Sequence, residues 1–193
     1  MVHPAGATPL EPEEKKALLP DIQTREELNE WEQNNIIEAR RWLFPTRRSP
    51  VRILSPEFIK KVHQKMFNHA WEWAGQYRKT EKNIGIAPYS ISVECKKLCN
   101  NARYWLEEKT YGHREFCARI HHQLTQIHPF PNGNGRHARL YVDYLSYSRG
   151  QSEFTWGKDN LIDESETRNK YIEALRTADR GNIQPLIDFM TGN

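Results

Sequence analysis

The twelve residues from His128 to Arg139 constrain this chain more than any other segment, and they read HPFPNGNGRHAR. Prolines at positions 129 and 131 exclude a helix at the start of the segment, whereas Gly133 and Gly135 permit positive φ angles. From position 134 onward, apolar residues at helical spacing predict a helix. The glycine-rich turn is therefore expected at a helix N-terminus, where free N–H groups and the positive end of the helix dipole attract anions.

Charged side chains on both flanks of this turn suit phosphate chemistry. Arg136 and Arg139 are three residues apart, so they share a helix face and can hold phosphate oxygens in bidentate fashion. His128, on the other flank, can take a proton from an incoming hydroxyl while the arginines hold a leaving group. This order predicts a polyphosphate site, in which the histidine acts as base, the glycine-rich turn binds phosphate and the two arginines hold it. We expect His137, by contrast, to be a solvated helix residue.

The motif resembles the signature of the Fic family, which runs His-Pro-Phe, any residue, an acid, Gly-Asn-Gly-Arg, two further residues and Arg. The resemblance extends to the segment 71–78 and to 82–85, which are similar to the stretch leading into the family's β-hairpin flap. Segments from Tyr171 and Pro185 resemble the C-terminal helices, so that roughly residues 50 to 190 are covered. The small size, Asn132 and the run 28–33 most resemble the group called mobile mystery protein B, found on mobile elements.

The resemblance implies both an activity and the residues that perform it. Fic domains are helical proteins that mostly transfer AMP from ATP to a Ser, Thr or Tyr hydroxyl of a target protein. His128 would be the general base and Phe130 a core anchor. The phosphate cradle would comprise Gly133, Asn134 and Gly135, and the β and γ phosphates would be held by Arg136 and Arg139. The flap that closes over the nucleotide and offers backbone edges to the target would comprise Lys82, Asn83, Ile84 and Gly85.

Asn132 departs from the family pattern, which has Asp or Glu here to hold Mg²⁺ on the nucleotide phosphates. An amide oxygen can ligate Mg²⁺ or Mn²⁺ but brings no charge, so we expect weak metal binding. The consequence could be slow AMP transfer, a different cation preference, a different phosphate-containing donor or no transfer. A protein adenylyltransferase is the first hypothesis. A catalytically weak nucleotide-binding regulator is the alternative.

Composition limits the other functional classes. The 193 residues suffice for one domain, and 28 basic against 25 acidic residues argue against direct binding to nucleic acid. No apolar stretch approaches the ~20 residues of a membrane span, and the N-terminus does not resemble a signal peptide. Three cysteines fit a reducing compartment rather than a disulfide framework. We therefore expect a cytoplasmic protein without membrane contact.

The chain is predicted to be all-α, as a Fic-type helical bundle with a small β-hairpin flap. Residues 1–22 read as an extended arm rich in proline, residues 23–49 as a helix with a possible regulatory role, and residues 50–193 as the Fic domain. Thr24 and Glu27 predict a capping box at the start of the first long helix. Further helices are expected from Ser55 and over 92–108, 114–127, 134–148, 161–177 and 183–190.

Glu32 raises the question of regulation. Many Fic proteins carry a helix whose Glu pairs with the second motif arginine and blocks the γ-phosphate. This chain matches the sequence pattern of that helix poorly, yet we hypothesise that Glu32 reaches Arg139 and restrains the enzyme. The alternative is that Glu32 is one of many exposed acids on an amphipathic helix. The resemblance to mobile-element proteins further implies a small helix-turn-helix companion protein.

Overall fold

Helices dominate the part of the chain that the computed structural model describes, which is residues 11–157 and 166–192. Nine α-helices and one 3-10 turn (Pro88–Ser90) form within these residues, where the only β pairing is a bridge between Leu18 and Trp71. The predicted all-α class is confirmed. The helices are α1 (Pro12–Lys15), α2 (Arg25–Leu43), α3 (Pro50–Ile53), α4 (Pro56–Phe67), α5 (Ile91–Glu107), α6 (His113–Ile127), α7 (Asn134–Ser148), α8 (Glu166–Asp179) and α9 (Gln184–Thr191).

Side-chain caps explain where the first long helices begin. Thr24 accepts a hydrogen bond from the Glu27 N–H, and the Glu27 carboxylate accepts one from the Thr24 N–H, so the predicted capping box is confirmed. Ser55 caps α4 through the Phe58 N–H. The other predicted helices agree with α5, α6, α7 and α9 to within one residue. The helix expected from position 161 begins at Glu166 within the described residues, and 158–165 lie outside them.

Helices α6 and α7 lie at the centre of the bundle. Helix α6 packs against α7, α5 and α9, while α4 packs against α2, α5 and α7. Their facing side chains are almost fully buried, as expected for a single core. Central members of this core are Phe67, Phe116, Ile120, Leu124, Phe130, Tyr141 and Leu145. The predicted site therefore lies on the short connection between two central helices, and none of the helices described is long and apolar enough to span a bilayer.

The segment 11–19, here called the strap, differs from the extended arm predicted for it. Pro12 begins one helical turn, and the Glu14 carboxylate accepts the Glu11 N–H at 2.8 Å, which stabilises that turn. The chain then runs beside residues 70–72. The Leu19 N–H donates to the Ala70 carbonyl at 2.9 Å, so the strap is joined to the domain by backbone hydrogen bonds.

His137 is buried rather than solvated, so our expectation for it was wrong. Its ring is 1% exposed and Nε2 donates to the Ile59 carbonyl of α4 at 2.9 Å. The reason is that α7 is central and packs with most of its faces against other helices. His63, His121 and His128 are buried as well, and burial is the main cause that lowers the pKa of all four imidazoles below the usual 6.5.

These four histidines predict a loss of stability in mild acid. Between about pH 6.5 and pH 5 the unfolded chain binds protons that the folded chain excludes, so the free energy of unfolding falls as the pH falls. Each unmatched proton contributes about 1.4 kcal/mol per pH unit at most. The Asp143 carboxyl, whose pKa burial raises to about 7, has the opposite sign and offsets one of the four. Urea unfolding at several pH values measures this slope, and a flat or rising free energy toward pH 5 would contradict it.

Candidate functional site

His128 ends α6 in a left-handed conformation, with φ of 52° and ψ of 59°. Its N–H still donates to the Leu124 carbonyl at 3.1 Å, and Pro129 follows at once, so the helix cannot continue. A non-glycine residue at positive φ is uncommon and persists only where its surroundings hold it. The side chain is 7% exposed. The predicted base is thus fixed at the junction between the central helix and the loop.

Asn134 locks the loop that follows. Its Oδ1 accepts the Phe130 N–H at 2.9 Å and its Nδ2 donates to the Phe130 carbonyl at 2.8 Å, both in a buried environment. The two hydrogen bonds close a ring from Phe130 to Asn134. They satisfy the Phe130 N–H and carbonyl, which cannot pair within a helix because of the neighbouring prolines. The Asn134 side chain is therefore occupied within the loop. Of its polar groups, only the backbone N–H at the start of α7 can serve a phosphate.

His63 of α4 supports the loop from below, a contact that the sequence analysis missed. The Gly75 N–H donates to Nδ1 at 3.0 Å, so Nε2 carries the proton and donates to the Asn132 carbonyl at 3.0 Å. The ring also stacks on Phe130 with centroids 3.7 Å apart. Phe130 is fully buried, which confirms it as a core anchor. No pattern of spacing links position 63 to position 130, so only the packing of α4 reveals this contact.

Of the two motif glycines, only Gly133 is required by its surroundings to lack a side chain. Gly133 adopts φ of 76° as the N-cap of α7, and a Cβ there would lie 2.5 Å from the Phe67 ring. Gly135 has an ordinary helical conformation and borders the space beside the second arginine. A Cβ at this position would lie 3.7 Å from Arg139 Nη1 and 4.0 Å from the Tyr171 hydroxyl. The backbone N–H groups of this turn thus lie at the positive end of a central helix.

The His128 imidazole is neutral at physiological pH. Burial is the main cause that lowers its pKa to about 4, and the positive charges of Arg78 and Lys82 lower it further. A hydrogen bond of the ring with the Thr125 backbone opposes part of this change. A neutral ring retains a lone pair that can accept a proton, which is the state that a general base requires.

Glu32 forms an ion pair with Arg136, not with Arg139 as we had hypothesised. Glu32 Oε2 lies 2.6 Å from Arg136 Nη1, and Oε1 accepts the Trp71 indole N–H at 2.7 Å. The carboxylate is thus held between α7 and the segment after α4, and it is 4% exposed rather than solvated. The hypothesis was wrong in its partner because Arg139 lies one turn further along α7 and packs over the ring of Tyr171.

The flap segment 78–87 closes around a guanidinium group instead of forming the strands of a hairpin. Arg78 donates from Nε to the His128 carbonyl at 2.7 Å, from Nη1 to the Thr80 carbonyl at 2.9 Å, and from Nη2 to the Ile86 carbonyl. Carbonyls from both arms of the segment are thereby used by one side chain. This explains why no strand ladder is present in this described segment.

The predicted flap residues divide into one buried cation and an exposed bend. Lys82 Nζ lies 2.5 Å from Glu14 Oε2 of the strap, and both side chains are largely buried. Asn83, Ile84 and Gly85 are exposed at the bend. Gly85 is nevertheless constrained, since its φ is 100° and a Cβ there would lie 2.6 Å from the Cβ of His128. The bend therefore contacts His128, the predicted base, directly.

Comparison with known proteins agrees with this arrangement. A sequence model of the Fic/DOC family matches residues 53–146, which include α4 to α6, the loop and most of α7. The protein adenylyltransferase Fic of Nematostella vectensis is 31% identical over 136 residues, which are 68% of this chain and 30% of that protein. The enzyme of the same name from Aedes aegypti is 27% identical over 140 residues and is covered over 26% of its length. This chain belongs to the Fic/DOC family.

Solved Fic structures share the fold beyond the matched segment. Fic-1 from C. elegans superposes with a TM-score of 0.69 at 25% identity, covering 93% of this chain and 52% of that one. BepC from Bartonella tribocorum, solved with bound AMPPNP, has a TM-score of 0.70 at 21% identity, covering 94% and 97%. The chain thus spans less than a third of the curated relatives named above but most of a compact Fic structure.

Asn132 offers this Fic domain little for a metal ion. Its Oδ1 accepts the Gly133 N–H at 2.5 Å, and its carbonyl accepts from His63. Among the residues described, no group of three or more His, Cys, Asp or Glu could hold a metal ion. A single amide oxygen that is already hydrogen-bonded does not make a resident metal site. The role of Asn132 as a weak ligand to a phosphate-bound cation stays a prediction.

The contact between Gly85 and His128 yields a test of how the Fic flap holds the base. We expect Gly85→Ala to destabilise the fold by clearly more than about 1 kcal/mol, the strain of a positive φ alone, and to shift the His128 imidazole resonances. Gly181→Ala is the matched control, because Gly181 has φ of 97° with open space around it. Denaturant unfolding and NMR spectra measure both effects. Equal losses in the two variants, with His128 unmoved, would contradict the close approach.

Proposed function

We propose that this chain is a protein adenylyltransferase that moves AMP from ATP to a hydroxyl of a target protein, with His128 as the general base. One observation carries the proposal. A neutral, buried histidine, His128, ends one central helix, and the next helix begins six residues later at Asn134 and carries two arginines a turn apart. The names of the curated relatives support the same activity.

The reaction that fits these groups is an in-line displacement. The target hydroxyl oxygen would form a bond to the α-phosphorus of ATP, while the bond from that phosphorus to the oxygen bridging to the β-phosphate breaks. The hydroxyl proton would pass to the free ring nitrogen of His128, and pyrophosphate would leave. Backbone N–H groups at the start of α7 and the cations of Arg136 and Arg139 would stabilise the departing negative charge. Phosphates bound near His128 would also raise its pKa toward the usual range, which makes it a stronger base.

Two features of the site favour a slow or restrained enzyme. Arg136 is paired with Glu32, so a nucleotide must displace a carboxylate to gain that arginine. Asn132 brings no negative charge for a cation, so the phosphates themselves would supply most of its ligands. A nucleotide-binding regulator with weak catalysis, or a transferase for another phosphate-containing donor, is therefore the second candidate. The target residue and the helix-turn-helix companion stay predictions.

Loss of the base gives the first test of the proposal. With ATP and either Mg²⁺ or Mn²⁺, we expect intact-mass spectrometry to detect the addition of an adenylyl group to the protein. The rate should fall at least about a hundredfold in His128→Ala. His122→Ala is the matched control, because its ring pairs with Asp179 outside the site.

Each outcome of this experiment separates the candidates. Modification that survives in His128→Ala would contradict the assigned base. If the wild-type protein binds ATP without transfer and Asn132→Asp transfers AMP, the metal ligand limits the reaction. If neither protein transfers AMP although both bind ATP, the binding-regulator candidate replaces the enzyme.

Release of Arg136 gives a second test, on the restraint by Glu32. We expect Glu32→Gly to tighten ATP binding about tenfold or more, because an ion pair that competes with the phosphates is removed. Glu30→Gly is the control, since Glu30 is an exposed residue of the same helix and carries the same cost of a helical glycine. Calorimetric titration with ATP measures both variants. Equal ATP affinities of Glu32→Gly and the wild-type protein would contradict a restraint by Glu32.

A further inference from the structure

A second group of buried polar side chains borders the cradle at Gly135. Arg139 of α7 has its guanidinium carbon 5.6 Å from the ring centroid of Tyr171 in α8. Both the guanidinium and the Tyr171 hydroxyl lie within 4.0 Å of the position that a Cβ at Gly135 would take. The hydroxyl is therefore at the edge of the proposed phosphate site. Tyr171 is 7% exposed and is held from the other side by Phe189, with ring centroids 5.5 Å apart.

The Tyr171 hydroxyl also contacts His121 of α6, at 3.1 Å from Nε2 in a buried environment. Either group could donate in this hydrogen bond, and the charge of Arg139 decides between them. A hydroxyl hydrogen directed toward a guanidinium would be repelled, so the hydroxyl donates to Nε2 and turns its lone pairs toward Arg139. His121 then carries its own proton on Nδ1.

His121 is held in an orientation that leaves one of its own polar atoms unsatisfied. Nδ1 is buried and has no hydrogen-bond partner in the part of the chain that the structure describes. Unpaired buried donors are rare in folded proteins, and they call for an explanation at each site. Here the ring packs against Trp156 at 4.8 Å, and the Trp156 indole N–H is in turn fixed by both carboxylate oxygens of Asp143. The orientation satisfies only the atom that Tyr171 uses.

We infer that Tyr171, oriented by His121, is a positioning residue for Arg139 in the phosphate site. The hydroxyl accepts a hydrogen bond from the guanidinium and holds it over the ring, beside the backbone of Gly135. The remaining guanidinium N–H groups then point toward the terminal phosphates of a nucleoside triphosphate. Because the guanidinium is already held in place, phosphate binding costs it less rotational entropy. This inference rests on the proposed function, since it assigns a role in the same site. It also gives α8 a role in that site, which the sequence did not indicate.

The variant Tyr171→Phe tests the inference because it keeps the ring and removes only the hydroxyl. We expect ATP binding to weaken about tenfold, while AMP binding is unchanged, since AMP lacks the phosphates that Arg139 would hold. Titrations are made in a Glu32→Gly background, where Arg136 is released. Tyr141→Phe is the matched control, because Tyr141 is buried in the same bundle and donates to the Ile53 carbonyl.

A double-mutant cycle with Arg139→Ala distinguishes positioning from a general structural role. If Tyr171 acts through Arg139, removing its hydroxyl from Arg139→Ala causes no further loss of ATP affinity. Full additivity of the two losses would overturn the inference, and so would an equal loss of ATP and AMP binding in Tyr171→Phe. ATP affinity in Tyr171→Phe equal to that of the Tyr141→Phe control would overturn it as well.

The same titrations separate this inference from the proposed function. If the Glu32→Gly protein binds no ATP, the nucleotide function fails and the inference fails with it. If that protein binds ATP normally and Tyr171→Phe binds it equally well, only the inference fails.

Discussion

The pair of hydrogen bonds between the Asn134 amide and the backbone of Phe130 is the constraint on which the site depends. The loop between α6 and α7 contains two prolines and one glycine, so it cannot satisfy its backbone groups by regular secondary structure. The amide supplies the missing donor and acceptor in one plane. With Phe130 buried against His63, the loop is held on both sides, and the start of α7 lies beside His128. A motif residue that the resemblance assigned to phosphate binding thus acts first as a structural lock.

Two cations of the site are paired with acids from outside the segment that the family model matches. Glu32 of α2 pairs with Arg136, and Glu14 of the strap pairs with Lys82. Both pairs are largely buried, where removing one partner leaves an uncompensated charge and is costly. These contacts fix the N-terminal elements to the domain through residues that the proposed function assigns to nucleotide binding. The packing of α2 against the domain therefore depends on the charge of Arg136 in the site.

Burial also sets the protonation of the site. His128 and the histidines that support the loop lie between packed helices, and water is excluded from most of their surfaces. In its neutral state His128 has a ring nitrogen that can accept a proton, and the partners of His63 define its tautomer. Arg78 is bound to four backbone carbonyls, including that of His128, and adds a fixed positive charge beside the ring. The electrostatics of the base thus come from its neighbours in space and not from the residues next to it in the motif.

The sequence by itself determined the helical class, the caps of α2 and α4, the helix that starts at the glycine turn, and the family. These depend on periodicity, on cap residues within four positions and on a twelve-residue motif, all of which are local. Tertiary structure alone decided that Glu32 meets Arg136, that Arg78 replaces the strands of the flap, that His137 is buried, and that Tyr171, hydrogen-bonded to His121, reaches the cradle. Each of these contacts joins residues from separate elements. Their distances follow from how the helices pack, because a burial pattern on one helix does not specify which side chain of another helix it will face.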